Sequence, residues 1–248
     1  YSGASKTIGD EFTGAGMRTL SLNLSTGESL LMASAKTIPG TLELNSGILN
    51  TADFKIIVSN SASAGITGGS SSSYINGNLQ RSIASGANNY VYPIGSTEGY
   101  APVTLQFAAN TIAGALTGST AAGDNLSIGG SRVNPIRSVN RNWNFSVNSG
   151  LTTASYGATF SWPAADQDAN FDYTNAIVGR FASGNWTYPT VANKNMTSIQ
   201  ANAVTGFGDF QIGKVCVNTK INTPPSMTGI CSGANTLLSV SAVGEGIL

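Results

Sequence analysis

The sequence predicts an all-β fold: short β-solenoid-like rungs followed by an antiparallel β-sandwich and the first strands of a further β module. Alternating apolar and polar segments recur along the chain, bounded by Gly, Asn, Ser or Pro, and amphipathic helix periodicity is hard to find. A short motif also recurs after 22 residues, from Thr19 to Thr41, which is a spacing typical of solenoids. Aromatic residues then concentrate in longer strands from about residue 86 onward, as the core of a sandwich requires.

Residues 1–85 are predicted to form the β-solenoid-like repeat region. Thr19–Asn23 and Thr41–Asn45 are identical at four of five positions, and each copy should point two leucines inward. Further rung strands are predicted at Ser29–Ala33 and Phe54–Val58. Because two or three rungs are too few to be stable alone, we expect this region to continue upstream or to be capped by the sandwich.

The corners between rungs need residues that tolerate a left-handed backbone conformation. Gly and Asn tolerate it best, so the sequence predicts corners at Asn45-Ser46-Gly47, Asn60 and Gly68-Gly69.

Residues 86–214 are predicted to form the antiparallel sandwich, since about eight strands succeed one another at the spacing of that fold. The predicted strands are Asn89–Gly95, Ala101–Phe107, Asn142–Val147, Tyr156–Trp162, Ala176–Phe181, Gly184–Thr187, Ser198–Ala201 and Phe207–Gly213. Aromatic side chains should fill the space between the sheets. The expected core aromatics are Trp143, Phe145, Phe160, Trp162, Phe181, Trp186 and Phe210.

Residues 215–248 are predicted to be a linker followed by the first strands of a truncated module. Asn222–Ser226 contains two prolines and should be extended, and Thr236–Ala242 alternates like a strand. Cys216 and Cys231 would close a small loop in an oxidising compartment. Alternatively, Cys231 pairs with a cysteine further along a longer chain.

Composition favours an extracellular protein. Only 10% of the residues are charged, the net charge is zero, and Gly, Ser, Thr, Asn and Ala dominate, a mixture typical of exported β proteins. The twelve basic residues are scattered, which argues against a nucleic-acid partner. No apolar run approaches 18 residues, so no membrane span is expected in this segment.

The sequence predicts a protein that is not an enzyme. It contains no histidine, which excludes Ser-His-Asp and Cys-His nucleophiles and zinc sites with histidine ligands. None of its six lysines lies in a Ser-x-x-Lys segment. No catalytic residue and no bound cofactor is therefore expected.

One cluster of carboxylates is a candidate metal site. Asp166, Asp168 and Asp172 lie within seven residues of one another, and oxygen ligands from a short loop suit Ca²⁺. The alternative is a polar loop in which the aspartates cap turns.

A second cluster consists of three arginines, Arg132, Arg137 and Arg141. It allows two interpretations: an anion-binding patch, or structural positions with Arg141 paired or stacked beside Trp143.

Several stretches together resemble extracellular proteins that Bacteroidota export through the type IX secretion system. They are Gly40–Asn50 with Tyr74–Arg81, Tyr92–Gly95 with Tyr100–Leu105, and Val139–Trp143 with Phe207–Phe210. The terminal segment from Pro224-Pro225 to Cys231-Ser232-Gly233 is similar to the start of the Ig-like or PKD-like repeats of those proteins. The resemblance covers about residues 20–248, and its motifs are structural.

The resemblance implies a structural or adhesive segment of a large cell-surface adhesin or filament, similar to the gliding-motility adhesin of these bacteria. The expected partners are neighbouring modules of the same chain, surface polysaccharide, or the secretion and motility machinery. The alternative is a carbohydrate-binding accessory region of a modular secreted enzyme. Exposed Trp143, Trp162 or Trp186 would favour that alternative, because sugars stack on aromatic faces.

Overall fold

A computed structural model describes residues 1–8, 18–216, 220–223 and 241–243. The chain divides into two compact units, Tyr1–Lys214 and Val215–Leu248. The strands, numbered in chain order, are β1 (Ser2–Gly3), β2 (Lys6–Ile8), β3 (Thr19–Leu24), β4 (Ser29–Met32), β5 (Lys36–Ile38), β6 (Thr41–Ser46), β7 (Ile48–Val58), β8 (Ile66–Gly68), β9 (Ile75–Ile83), β10 (Asn88–Tyr92), β11 (Ile94–Ser96), β12 (Gly99–Tyr100), β13 (Val103–Phe107), β14 (Gly114–Ala122), β15 (Val133–Ser149), β16 (Tyr156–Ser161), β17 (Ala176–Ala182), β18 (Asn185–Thr187), β19 (Thr190–Asn195), β20 (Ser198–Val204), β21 (Gly208–Val215), β22 (Lys220–Thr223) and β23 (Ser241–Val243). Short 3₁₀ helices span Ser63–Gly65, Ile128–Gly130, Ala164–Asp166 and Tyr173–Asn175.

The predicted all-β fold is confirmed, and in the described residues it includes a β-solenoid of about four turns. One wall of the solenoid is a parallel sheet with the order β1-β3-β6-β8. Thr19 of β3 pairs with Thr41 of β6, so the sequence repeat matches the register in which these two strands pair. Leu20 and Leu22 stack on the equivalent leucines of β6, and all four are buried.

A second wall is formed by β2, β4, β7 and β9, which are also parallel. Leu30, Leu49 and Ile75 occupy one register position on successive strands and are no more than 1% exposed. Continuous columns of this kind bury apolar surface in every rung, which stabilises the stack.

The predicted glycine corners have the expected backbone. Gly47, Gly68 and Gly69 all have positive φ, a conformation that costs glycine little because it lacks a Cβ. Asn60 differs, since it is not among the described residues with positive φ. Its side-chain Oδ1 instead accepts a hydrogen bond from the Ala62 amide at 3.0 Å, which fixes the turn locally.

The solenoid continues into the sandwich through one sheet. β9 is parallel to β7 on one side and antiparallel to β14 on the other. From β14 the sheet goes on through β15, β21, β17 and β18. We call this continuous sheet from β2 to β18 the shared sheet.

A second, antiparallel sheet with the order β10-β13-β16-β20-β19 faces the sandwich part of the shared sheet. Aromatic rings fill the space between them: the ring centroids of Trp143 and Phe160 are 5.2 Å apart, and those of Phe160 and Phe210 are 5.0 Å apart. Five of the seven predicted core aromatics are buried. Phe181 and Trp186 are half-buried and pack on each other at 5.1 Å.

In the second unit, β22 and β23 pair antiparallel, with Lys220 opposite Val243. The predicted strand Thr236–Ala242 overlaps β23 at Ser241 and Ala242. Residues 224–240, which contain most of the predicted start of an Ig-like module, lie outside the described residues.

Candidate functional site

The predicted metal ligand Asp166 forms a buried ion pair with Arg141. Asp166 ends a 3₁₀ helix after β16 and is 7% exposed, and Arg141 on β15 is fully buried. The Arg141 Nε atom lies 2.5 Å from Asp166 Oδ2, and Nη1 donates to Ser96 Oγ at 3.0 Å. Of the two interpretations of Arg141, the structure supports the structural one.

The hydrogen bonds continue from this pair to the surface. Ser96 Oγ donates to Glu98 Oε2 at 2.6 Å. The Ser96 hydroxyl and then the Thr97 hydroxyl lower the pKa of Glu98, with a smaller contribution from the charge of Arg141. The chain Asp166–Arg141–Ser96–Glu98 therefore ends at an ionised, exposed carboxylate.

Asp168 is held by a different group of residues. Its Oδ2 accepts from the Ser138 amide at 2.8 Å, and its Oδ1 accepts from Asn140 Nδ2 at 2.7 Å. The Ser138 hydroxyl lies 3.2 Å from Asp168 Oδ2 and 2.7 Å from Asp124 Oδ1, so one serine bridges two carboxylates. Partial burial and the charge of Asp168 raise the pKa of Asp124.

Asp172 caps the 3₁₀ helix Tyr173–Asn175. Its carboxylate accepts from the Thr174 amide at 3.0 Å and from Asn175 Nδ2 at 2.6 Å. Hydrogen bonds from Thr174 and then Asn175 lower the pKa of Asp172 to about 2. This is the turn-capping role that the sequence offered as an alternative to metal binding.

The three predicted ligands thus bind separate protein donors. Among the residues that the structure describes, no group of three or more His, Cys, Asp or Glu side chains is placed to hold a metal. Asp124, the carboxylate that does come close to Asp168, is more than 40 residues away in sequence. The Ca²⁺ site stays a prediction without geometric support.

The predicted disulfide also stays a prediction. Cys216 is exposed, and Cys231 lies outside the described residues.

The tryptophans do not form an exposed platform. Trp143 is fully buried and donates from Nε1 to the Ala101 carbonyl at 3.0 Å. Trp162 is 4% exposed, and half-buried Trp186 donates to the Ser127 carbonyl at 3.1 Å. All three act in packing.

A cleft of about 470 Å³ lies beside β12 and the end of β16. Its lining includes Glu98, Tyr100, Ser161 and Trp162. Tyr100 is half-buried and packs on Tyr74 with 5.8 Å between ring centroids. The cleft therefore combines one carboxylate with hydroxyl groups but offers little free aromatic surface.

A second opening, a shallow groove of about 340 Å³, lies on the outer face of the shared sheet where β7, β9, β14 and β15 run side by side. We call it the sheet groove, and it is lined by Ala35, Asp53, Phe54, Lys55, Asn78, Thr117, Ser146 and Asn148. Phe54 is 38% exposed. Strand alternation places Phe54 in phase with buried Ile56 and Val58, so the alternation alone predicts a buried ring at this position.

Comparisons with protein-family models, with curated proteins and with solved structures find no match to this chain.

In the described residues, no helix has the length and apolar character needed to cross a membrane.

Proposed function

We propose that this chain is a structural and adhesive segment of a large exported bacterial cell-surface protein. The observation that carries the proposal is the shared sheet, which joins solenoid and sandwich without an intervening linker. Backbone hydrogen bonds therefore run from β2 to β18, and the two parts form one compact unit. A rigid unit of this kind suits a protein that holds a binding surface away from the cell.

The chemistry of the chain agrees with that role. Histidine is absent and only 10% of the residues are charged. The ionisable groups brought together in the described part, including the Arg141–Asp166 pair and the Ser138-bridged aspartates, are engaged with protein partners. They serve to hold strands and loops in place.

The proposed export route is type IX secretion in a member of the Bacteroidota, with a role in surface attachment and gliding. This part of the proposal rests on the sequence resemblance. The test is to tag the native protein and compare cell fractions, with protease treatment of intact cells. We expect a protease-sensitive signal in the envelope or medium that is lost when secretion is blocked. A protease-resistant cytosolic protein would contradict the proposal.

The alternative, a carbohydrate-binding accessory region of a secreted enzyme, would be favoured by exposed tryptophans. Trp143 and Trp162 are buried, and Trp186 is half-buried with its indole nitrogen bonded. The observation that would favour this alternative is therefore not met, and the adhesive segment is the function that we propose.

A further inference from the structure

We propose that the sheet groove binds a neutral, hydroxyl-rich saccharide. The inference rests on the proposed adhesive function, since it names the class of ligand that the segment would recognise.

The first support is the way in which the backbone exposes Phe54. β7 and β9 pair in register at Asn50 and Asn76, and the pairing resumes at Lys55 and Asn78. Residues 51–54 of β7 therefore oppose Gly77 alone. Bulges of this kind redirect side chains, and here the bulge leaves a phenylalanine 38% exposed.

The bulge is fixed in place by specific contacts. Ala52 has a φ of 47°, which is unfavourable for a residue with a Cβ. Asn50 Oδ1 accepts from the Ala52 amide at 3.0 Å, and Thr51 Oγ1 accepts from the Asn78 amide at 2.9 Å. A Cβ on Gly77 would lie 2.0 Å from Thr51 Oγ1, so the opposing position requires glycine. Strain held in this way is concentrated at functional sites.

The second support is the chemistry around the ring. Asn78 donates from Nδ2 to the Phe54 carbonyl at 3.1 Å, and Thr117 donates to Asn148 Oδ1 at 2.6 Å. Within the described part of the chain, Asn78 Oδ1, Asn148 Nδ2 and the Ser146 hydroxyl have no protein partner. These groups supply both acceptors and donors, as sugar hydroxyls require.

The third support is the charge of the groove, which decides between neutral and ionic ligands. Lys55 donates from Nζ to Gln80 Oε1 at 2.7 Å, and Asp53 is the single carboxylate in the lining. One positive and one negative charge leave the groove without net charge, so a polyanion gains no electrostatic attraction. The volume of about 340 Å³ falls within the range of about 300–1,000 Å³ found for small-molecule sites.

These features fit a sugar ring that packs its C–H groups on the face of Phe54, because the electron-rich face of an aromatic ring attracts weakly positive hydrogens. Neighbouring amide and hydroxyl groups then bond the sugar hydroxyls. The rim is built on strands of the shared sheet, so binding requires little ordering of the protein.

The test is a titration of the isotope-labelled chain with cellohexaose, mannohexaose and chitohexaose, monitored by the side-chain amide signals of Asn78 and Asn148. An anionic hexamannuronate serves as the charged comparison. We expect saturable shifts at both amides with at least one neutral hexasaccharide at millimolar concentration. Phe54→Ala should weaken this binding at least tenfold, and Thr117→Val should weaken it to a smaller extent.

Tyr173→Ala is the matched control, because Tyr173 is 36% exposed and does not line the groove. It should bind like the parent protein. The inference is overturned if no neutral hexasaccharide gives saturable shifts, if Phe54→Ala binds normally, or if hexamannuronate binds best. Surface display tests the adhesive function separately: a displayed protein that binds no saccharide refutes the inference alone, and a cytosolic protein refutes the proposed function.

Discussion

The guanidinium group of Arg81 lies over the ring of Tyr90, with 4.9 Å between Cζ and the ring centroid. Arg81 is fully buried and occupies the solenoid column that Ile38 and Val58 begin. Its nitrogens donate to the carbonyls of Ala62, Ser63 and Val91. Arg81 thus completes an apolar column although it is charged, and its hydrogen bond to Val91 connects the column to the sandwich strand β10.

The first prediction concerns that arginine. Arg81→Met removes the donors of three part-buried hydrogen bonds to the carbonyls of Ala62, Ser63 and Val91, and each such bond contributes about 1 kcal/mol. We expect the free energy of unfolding to fall by about 3 kcal/mol and the Tm to fall by about 6–12 °C in a thermal scan. The control is Arg132→Met, because Arg132 lies 5.0 Å from the ring centroid of Tyr188 but is less buried. Equal losses in the two variants would show that burial of Arg81 is unimportant.

The second prediction concerns the Arg141–Asp166 pair. Asp166→Asn leaves the buried Arg141 without its counter-charge, which should lower the free energy of unfolding by about 3–5 kcal/mol. The double variant Arg141→Met/Asp166→Leu removes both charges and should recover most of that loss. Urea denaturation of these proteins measures the free energy of coupling between Arg141 and Asp166. A double variant as unstable as Asp166→Asn would contradict the prediction, and exposed Asp53→Asn provides the control.

The third prediction concerns the two carboxylates bridged by Ser138. Burial and the charge of Asp168 raise the pKa of Asp124, so the folded state binds this proton more tightly than the unfolded state. Stability from this group is present below its unfolded pKa and is lost as pH rises through its raised folded pKa. Asp124→Asn should flatten that dependence and increase stability at pH 7. Asp168→Asn should shift the carboxyl titration of Asp124, followed by ¹³C NMR, to lower pH.

The fourth prediction concerns Asp172, whose contribution to stability should change with pH in the opposite direction to that of Asp124. The pKa of Asp172 is lowered to about 2 by hydrogen bonds from Thr174 and Asn175. Its stabilising contribution is present above the unfolded pKa and is lost as pH falls through about 2. A carboxyl titration by ¹³C NMR should show this low midpoint, and Asn175→Ala should raise it. An unchanged midpoint in the variant would exclude the Asn175 hydrogen bond as its cause.

The rungs were predictable because stacked parallel strands demand equal spacing of their inward residues. The identity of Thr19–Asn23 with Thr41–Asn45 at four positions therefore indicated the register of β3 on β6 directly. The core aromatics were predictable for a similar reason, since large rings must be buried between two sheets.

β14 was not predicted, although it joins β9 to β15. Its sequence is rich in Gly, Ala, Ser and Thr and lacks aromatic residues. A Cβ on Gly118 would come within 2.6 Å of the Phe145 ring and 2.8 Å of the Tyr92 ring. Small residues are thus required beneath the aromatic core. A strand made of such residues lacks the β-branched and aromatic side chains by which strands are recognised in a sequence.

The carboxylate cluster shows a different limit of sequence reasoning. Asp166, Asp168 and Asp172 are close in sequence, but their partners are Arg141, Ser138 and Thr174. Two of these partners come from β15, a distant strand that only the three-dimensional fold brings near. Phe54 was missed because the bulge opposite Gly77 depends on the register of two strands.

The change from parallel to antiparallel pairing at β9 also protects the protein from uncontrolled assembly. The open edge of a parallel solenoid sheet is a template on which another chain adds strands, as in fibrils. β14 covers this edge of β9 with an antiparallel partner at Leu79 to Ile83, and the next strands, β15 and onward, continue as a sandwich. The wall formed by β2, β4, β7 and β9 is therefore terminated by the fold itself, and a chain in which β14 is disrupted should aggregate through the β9 edge.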